Sequence, residues 1–254
     1  MNPALIAERC GLVLDVEVVA QTGSTNADLL ARCAQLTRPS LLVAEHQTAG
    51  RGRAGRSWLS APGDSLTFSL AWKFNLPPQR LLGLPLAVGV ALAEALGALD
   101  VPVQLKWPND LLRDGDKLGG ILIETQGAAG GGTWAVIGIG LNLQMPDDLE
   151  HRIGRAVAAA PGLARMERDV LMAALLDALA AAMEEFELAG FGPFRARWDA
   201  LHAWRGQPVL IVDHGAILQQ GVAAGVDDSG RLLLDTDTGR IAVLAGDVSL
   251  RVKP

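Results

Sequence analysis

The stretch LLVAEHQTAGRGRAGRSWLSAPGD, Leu41 to Asp64, reads as a short apolar strand that runs into a loop of glycine and arginine. Gly50, Gly52 and Gly55 satisfy the G-x-G-x-x-G spacing of a dinucleotide-binding turn. They also nearly fit the G-x-x-x-x-G-K-[ST] phosphate loop, with Arg56 in the lysine position and Ser57 after it. Both of those loops need a helix directly behind them, because the phosphate rests on the helix N-terminus. RSWLSAPGD has no helical period and carries Pro62 and Gly63, so both readings fail. A kinase loop does lie between strands, and Lys73 in LAWK is suitably spaced, but no HRD or DFG follows. What remains is a glycine-hinged lid between two strands, carrying Arg51, Arg53 and Arg56. Glycine lets the backbone approach a ligand closely, and arginine forks onto phosphate oxygens. For this segment alone, a solvated turn that is merely Arg-rich stays open as the plain alternative.

Composition narrows the anion. The chain has 254 residues and a net charge of −6, with 50% of residues hydrophobic and 20% charged. That length accommodates one large domain plus a small one. Binding a polyanion relies on a broad basic face; cations gathered in one knot of an acidic chain suit a single small anion instead. Cys10 and Cys33 have neither C-x-x-C spacing nor a nearby histidine cluster, so they read as buried reduced thiols in a cytoplasmic protein. The start, MNPALIAERCGLVLDVEVV, lacks the basic and apolar regions of a secretion signal. LLGLPLAVGVALAEALGAL, Leu81 to Leu99, is apolar enough to resemble a membrane span. Pro85 and Glu94 favour a buried helix with no membrane partner.

Periodicity predicts a strand over Leu12–Ala20, then a helix capped by Ser24 or Thr25 with Leu29, Leu30, Cys33 and Leu36 inward. Further strands are expected at Leu41–Glu45, Ser65–Phe74 and Val103–Lys106, and WPNDLLRDGDK reads as a turn-rich connection. Leu118–Glu124 and Trp134–Leu143 read as paired strands around TQGAAGGGT. Met166–Leu188 is helical, with Met172, Leu176, Leu179, Met183 and Phe186 as a core stripe. After Trp204–Gly206 come short β-rich runs with turns at VDHG, DDSG and DTDTG, the rhythm of a small barrel. The expected division is 1–204 and 205–254.

A second constellation is KWPNDLLRDGDKLGGILIE, Lys106 to Glu124. Lys106, Asn109, Asp110 and Lys117 supply ammoniums for phosphates and a carboxylate for Mg²⁺, the needs of a nucleoside triphosphate. In VIGIGLNL, Gly138, Gly140 and Asn142 end a strand on which a ligand could lie flat. A plain buried strand with an exposed Asn end is the alternative for that piece.

The order STN, AEHQTAGRGRAGRSW, KWPNDLL, KLGGILIE, VIGIGLNL closely resembles the biotin–protein ligases over nearly the whole chain, including FGPFRARW and the ending GDVSLR. The resemblance implies an α+β fold. A mixed sheet with helices, like the catalytic domain of class II aminoacyl-tRNA synthetases, would precede an SH3-like barrel. It implies that biotin and ATP give biotinyl-5′-AMP, from which biotin passes to a lysine of a biotin carboxyl carrier domain. By motif, Ser24, Thr25, Asn26 and Gln47 would meet biotin's ring, with Gly120 and Gly138 as floor. Gly50, Arg51, Gly52 and Arg53 would close over biotin and its adenylate. Arg56, Trp58, Lys106, Asn109, Asn142 and Arg251 would serve the nucleotide. Arg53, Lys106 and Lys117 would be catalytic, with Lys117 at the reacting carboxylate and α-phosphate, and Asp110 would hold Mg²⁺.

Charge alone supplies a mechanism, since a carboxylate must approach an anionic phosphate. No Ser–His or Cys–His pair is needed, and His46, His151, His202 and His214 are scattered enough to read as structural. Some members of the family carry an N-terminal DNA-binding domain. Few residues precede the first catalytic strand here, so ligation without a DNA partner is expected, as monomer or homodimer. The rivals are a lipoate or octanoate ligase of the same superfamily, and a nucleic-acid-binding module. Asp213, Asp227, Asp228, Asp235, Asp237 and Asp247 make the barrel region too acidic for the second.

Overall fold

The computed structural model describes residues 1–144, 156–213, 215–246 and 248–253. His151, His214 and Asp247, with the expectations attached to them, lie outside the described residues. The chain opens with α1 (Pro3–Arg9), which periodicity did not anticipate; Asn2 caps it and Pro3 stands in its first turn, where the missing N–H is harmless. β1 (Asp15–Thr22) follows, then α2 (Thr25–Arg32), capped by Ser24, whose Oγ accepts from Ala27 N. Next come β2 (Ser40–Gln47), β3 (Ser65–Phe74), α3 (Leu84–Ala98), β4 (Gln104–Lys106), β5 (Asp110–Arg113), β6 (Asp116–Gly127) and β7 (Thr133–Asn142). The helices α4 (Pro161–Ala164), α5 (Arg168–Ala189) and α6 (Gly192–Leu201) precede β8 (Pro208–Asp213), β9 (Ala216–Val226), β10 (Leu232–Thr236), β11 (Gly239–Val243) and β12 (Ser249–Val252).

The first seven strands form one mixed sheet in the order β1-β2-β3-β7-β6-β5-β4, and the last five an antiparallel sheet in the order β11-β10-β9-β8-β12. This is the expected mixed sheet with helices followed by a small all-β unit. One expectation needs correction. WPNDLLRDGDK is not merely a turn-rich connection, because Asp110–Arg113 is a strand. Leu111 and Leu112 are buried, and buried backbone groups must be paired. The turn shrinks to Asp114–Gly115, whose φ values of 53° and 90° are the left-handed pair that a two-residue hairpin favours.

The large sheet has two different faces. Leu41, Val43, Leu66, Phe68, Leu70, Ile137, Ile139 and Leu141 pack in one core with α3 and α5. Met172, Leu176, Leu179, Met183 and Phe186 of α5 are all fully buried there, each contributing about 1.5–3 kcal/mol of transfer free energy. The segment Pro78–Ala98 is long and apolar enough to cross a membrane, and most of its residues from Leu84 to Leu96 are buried in this layer. On the other face, Leu42, Ala71, Trp134 and Val136 meet Leu29 of α2 and Cys33 just after it. That packing covers only one end of the face.

Val209, Ile211, Ala223, Val226, Leu232, Leu234 and Leu250 of the small sheet belong to the main core. Trp107 Nε1 donates to Gly230 O at 3.1 Å and Val226 N to Asp199 Oδ1 at 3.0 Å. The apolar core is therefore continuous across the expected boundary at 204/205.

Candidate active site

Where α2 does not cover the sheet, strand register assembles a row. Lys106 pairs with Asp110, Asp110 with Gly120, Gly120 with Gly140, and Gly140 with Thr67. Residues directly opposite one another share a face, so two charged side chains flank a floor of glycine. Lys117 joins them through an irregularity: the β5–β6 register shifts between Leu111 and Leu112. A bulge of this kind re-aims the side chains beyond it. Lys117 Nζ lies 2.5 Å from Asp110 Oδ1 and Lys106 Nζ lies 3.6 Å from Oδ2. Two ammoniums share one carboxylate, which leaves the triad a net cation. Lys106 also stands 5.0 Å from the Trp204 ring centroid, and Lys117 5.7 Å from that of Trp58.

The floor has to be glycine. A Cβ on Gly140 would collide with the Trp58 indole, and one on Gly138 with the Asn26 amide. At Gly120 a Cβ would stand 3.0 Å from Lys117 Nζ. The Trp58 ring thus lies directly on the strand, and its indole Nε1 is buried without a hydrogen-bond partner.

The N-terminus of α2 forms the other end of the site. Thr25 N donates to Gln47 Oε1 at 2.8 Å, and Gln47 N donates to Ser60 Oγ at 3.0 Å. Thr25 Oγ1 lies 2.7 Å from Ser69 Oγ, and Ser69 Oγ donates to Asn26 Oδ1 at 2.6 Å. Asn26 Nδ2 donates to Leu122 O at 3.2 Å and to Glu124 Oε2 at 3.0 Å. Ser24, Thr25, Asn26 and Ser69 are buried, and buried polar groups persist where such bonds satisfy them.

The glycine-arginine loop folds over this floor as a tight hairpin, with an Arg51–Ser57 bridge and Gly52 N donating to Arg56 O at 2.7 Å. Its arginines diverge. Arg51 pairs with Glu124 on β6. Arg53 Nη1 donates to Asn109 Oδ1 at 3.2 Å, and its Nη2 to Gly246 O in the connection between β11 and β12. Arg56 Nη2 donates to Ser249 Oγ at 2.7 Å. The loop is fastened to the floor, to the KWPND turn and to the barrel.

One cavity of about 760 Å³ results, and every site residue marked in the sequence lines it except Gly50. Gly50 acts behind the wall: a Cβ there would strike the carbonyl of Trp58, so only glycine permits this loop entry. The Asn142 amide donates to Lys117 O at 3.4 Å and Ala158 O at 3.1 Å, bracing the end of β7. Ser69, Glu124 and Ser249 carry contacts that the motif reading did not assign. The sequence carries a signal for Ser69, since Ser65, Thr67 and Ser69 alternate with Leu66, Phe68 and Leu70 along the first part of β3. Glu124 and Ser249 reach the loop only through the fold.

Arg51, Arg53, Arg56, Lys106, Lys117 and Arg251 are six cations lining this cavity, against the single carboxylate of Asp110 among the described residues. No group of three or more His, Cys, Asp or Glu among the described residues could hold a metal ion. With an ammonium on each oxygen of Asp110, the donor set suits an ion carried in by phosphates rather than one caged by protein alone.

A mixed sheet with a cationic, glycine-floored cavity beneath an arginine lid, continued by a small β unit, defines a protein that binds an anionic small molecule. The Biotin/lipoate A/B protein ligase family matches residues 18–142 and the Biotin protein ligase C terminal domain residues 206–251. The bifunctional ligase/repressor BirA of Escherichia coli is 37% identical over 239 residues, 93% of this chain and 74% of that one. A biotin–[acetyl-CoA-carboxylase] ligase of Mycobacterium tuberculosis is 37% identical over 241 residues, 92% of this chain and 88% of its own. The biotin protein ligase from Aquifex aeolicus in complex with biotin and ATP superposes with a TM-score of 0.79 at 27% identity, covering 94% of this chain and 99% of that one. The chain belongs to the biotin protein ligases.

Proposed function

We infer that the protein activates biotin with ATP to biotinyl-5′-AMP and transfers the biotinyl group to a lysine of a biotin carboxyl carrier domain. The observation that carries this reading is the cavity's charge: six cationic side chains converge beside the polar end formed by the buried Ser24, Thr25 and Asn26 and the half-buried Gln47. The polar end suits a ureido ring, and the cations suit a carboxylate meeting a triphosphate.

In the first step a carboxylate oxygen of biotin bonds to the α-phosphorus while the bond to pyrophosphate breaks. Both reactants are anionic, so the barrier is largely electrostatic. Opposite charges about 4 Å apart gain roughly 4 kcal/mol at an effective dielectric near 20. Lys117 and Lys106, held by Asp110, are placed to neutralise the reacting oxygens, and Arg53 to cover them from the lid. Mg²⁺ would arrive with the triphosphate and meet Asp110, adding charge neutralisation at the phosphates. In the second step the carrier lysine amine attacks the acyl carbon and AMP leaves. The lid, closed on β6 and the barrel, excludes water from the mixed anhydride until then.

DNA has no place in this reading, because six cations converge inside one cavity of a chain whose net charge is −6. Cys10 and Cys33, both buried and unpaired, suit a reducing cytoplasm. The test is incubation with ATP, Mg²⁺ and labelled biotin, followed by addition of a carrier domain. Pyrophosphate release and label on the carrier are expected with biotin, and neither with lipoate. Activity with lipoate alone would move the protein to the lipoate branch of its superfamily, and no pyrophosphate with either acid would overturn the reading.

A further inference from the structure

We propose that Glu124 is a positioning residue for the biotin reaction, a single carboxylate that orients the floor of the acid pocket and latches the lid above it. This rests on the function proposed above and adds a residue that none of the sequence motifs assigns. Glu124 stands on β6 opposite Val136, two residues beyond Leu122 and four beyond Gly120. The strand's two-residue period therefore places it on the cavity face.

Hydrogen-bond polarity gives it the first task. A hydroxyl has one proton. Ser69 gives its proton to Asn26 Oδ1 at 2.6 Å, so in the 2.7 Å contact with Thr25 it is Thr25 that donates, in preference to its longer 3.2 Å contact with Gln47 Oε1. Asn26 must then present its oxygen to Ser69 and its NH₂ group to the far side. Two acceptors hold that direction: Glu124 Oε2, which can only accept when ionised, lies 3.0 Å from Asn26 Nδ2, and the Leu122 carbonyl lies 3.2 Å from it. A relay Thr25 → Ser69 → Asn26 → Glu124 follows, with every donor pointing one way. Gln47 Oε1 faces Thr25, accepting from its amide at 2.8 Å with its hydroxyl at 3.2 Å, which turns the Gln47 NH₂ group away from Thr25. Without the carboxylate at its end, the Asn26 amide keeps only the Leu122 carbonyl, at 3.2 Å, as an acceptor for its NH₂ group.

The second task is the latch. The other oxygen of Glu124 takes the Arg51 guanidinium. Arg51 is the first arginine of the lid and precedes Arg53, which the proposed chemistry places over the phosphates. The Glu124 side chain is only 21% exposed and that of Arg51 47%, so the pair is screened less than a pair on the open surface. One carboxylate thus makes lid closure and floor alignment interdependent.

The experiment compares Glu124→Gln, Glu124→Ala, Arg51→Ala and the Glu124→Gln/Arg51→Ala double variant with wild type. The readouts are KM for biotin, kcat for adenylate formation, and the rate at which biotinyl-AMP escapes. Glutamine keeps an acceptor for Asn26 but removes the charge that holds Arg51. We expect KM and escape rate to rise roughly tenfold in Glu124→Gln, the loss of one charge-assisted bond, with kcat within about threefold. Glu124→Ala, which removes both tasks, should do worse than Glu124→Gln. The double variant should be no worse than Arg51→Ala, since the two share one interaction. A Glu124→Gln variant indistinguishable from wild type, or additive effects in the double variant, would overturn the latch while wild-type activity leaves the proposed function standing. A wild type that forms no adenylate would overturn both. Should Glu124→Ala fail to fold, the Glu124→Gln and Arg51→Ala arms still decide.

Discussion

Lys117 concentrates the chemistry of the site. It is 2.5 Å from Asp110, its ammonium lies above Gly120, and its backbone carbonyl accepts from Ala158 N at 2.9 Å. Its main chain is therefore fixed independently of its side chain. Lys117→Ala should fold, because Asp110 retains Lys106 at 3.6 Å, and should lose on the order of a hundredfold or more in adenylate formation, as when one preorganised charge donor is removed. Pyrophosphate release measured beside a thermal melt checks both halves. A near-normal rate would show that Lys106 and the arginines suffice at the reacting oxygens.

At the scale of the element, β7 is two surfaces on one strand. Ile137, Ile139 and Leu141 are buried in the core, while Gly138 and Gly140 between them leave room for Asn26 and Trp58 on the opposite side. A Cβ at Gly140 has nowhere to go unless the Trp58 ring lifts. Overpacking of this kind costs about 1–3 kcal/mol, so Gly140→Ala should raise KM for ATP on the order of tenfold, with Trp58 displaced from the strand. Intrinsic tryptophan fluorescence alongside the KM measurement tests this, and an unchanged KM would separate Trp58 from the nucleotide. The lid is likewise an element defined by its fastenings: three arginines reach three different parts of the molecule, so its closed form depends on all of them.

At the scale of the whole molecule, the catalytic sheet and the barrel share one core, and His202 lies near their junction. It is 6% exposed, neither ring nitrogen has a hydrogen-bond partner, and its ring centroid is 4.6 Å from that of Trp198. Burial, aided by the positive charge of Arg205, lowers its pKa from 6.5 to about 4. In the unfolded chain the ring takes up its proton near 6.5, whereas in the folded chain it stays neutral until about 4. Stability is therefore full above about pH 6.5 and falls as pH drops through that window, by on the order of 3 kcal/mol. Denaturant unfolding at pH 7 and pH 4.5 should reveal this loss, and His202→Phe should shrink it. An equally steep dependence in the variant would assign it to the carboxylates.

Much of this protein was legible in its residues alone. Alternating apolar side chains, the Ser24 cap and the α5 stripe reflect local periodicity, which any one segment carries by itself. Lys106, Asp110, Lys117 and the glycines could be marked because chemistry limits which residue types can meet phosphate or lie beneath a flat ring. Asp114–Gly115 is a hairpin signal set among charged neighbours. What the chain could not disclose is which distant groups meet. The bulge that turns Lys117 toward Asp110, the relay from Thr25 to Glu124, and the seating of Arg53 and Arg56 on the barrel arise from strand register and domain packing. Those depend on long-range burial and pairing, and no local pattern encodes them.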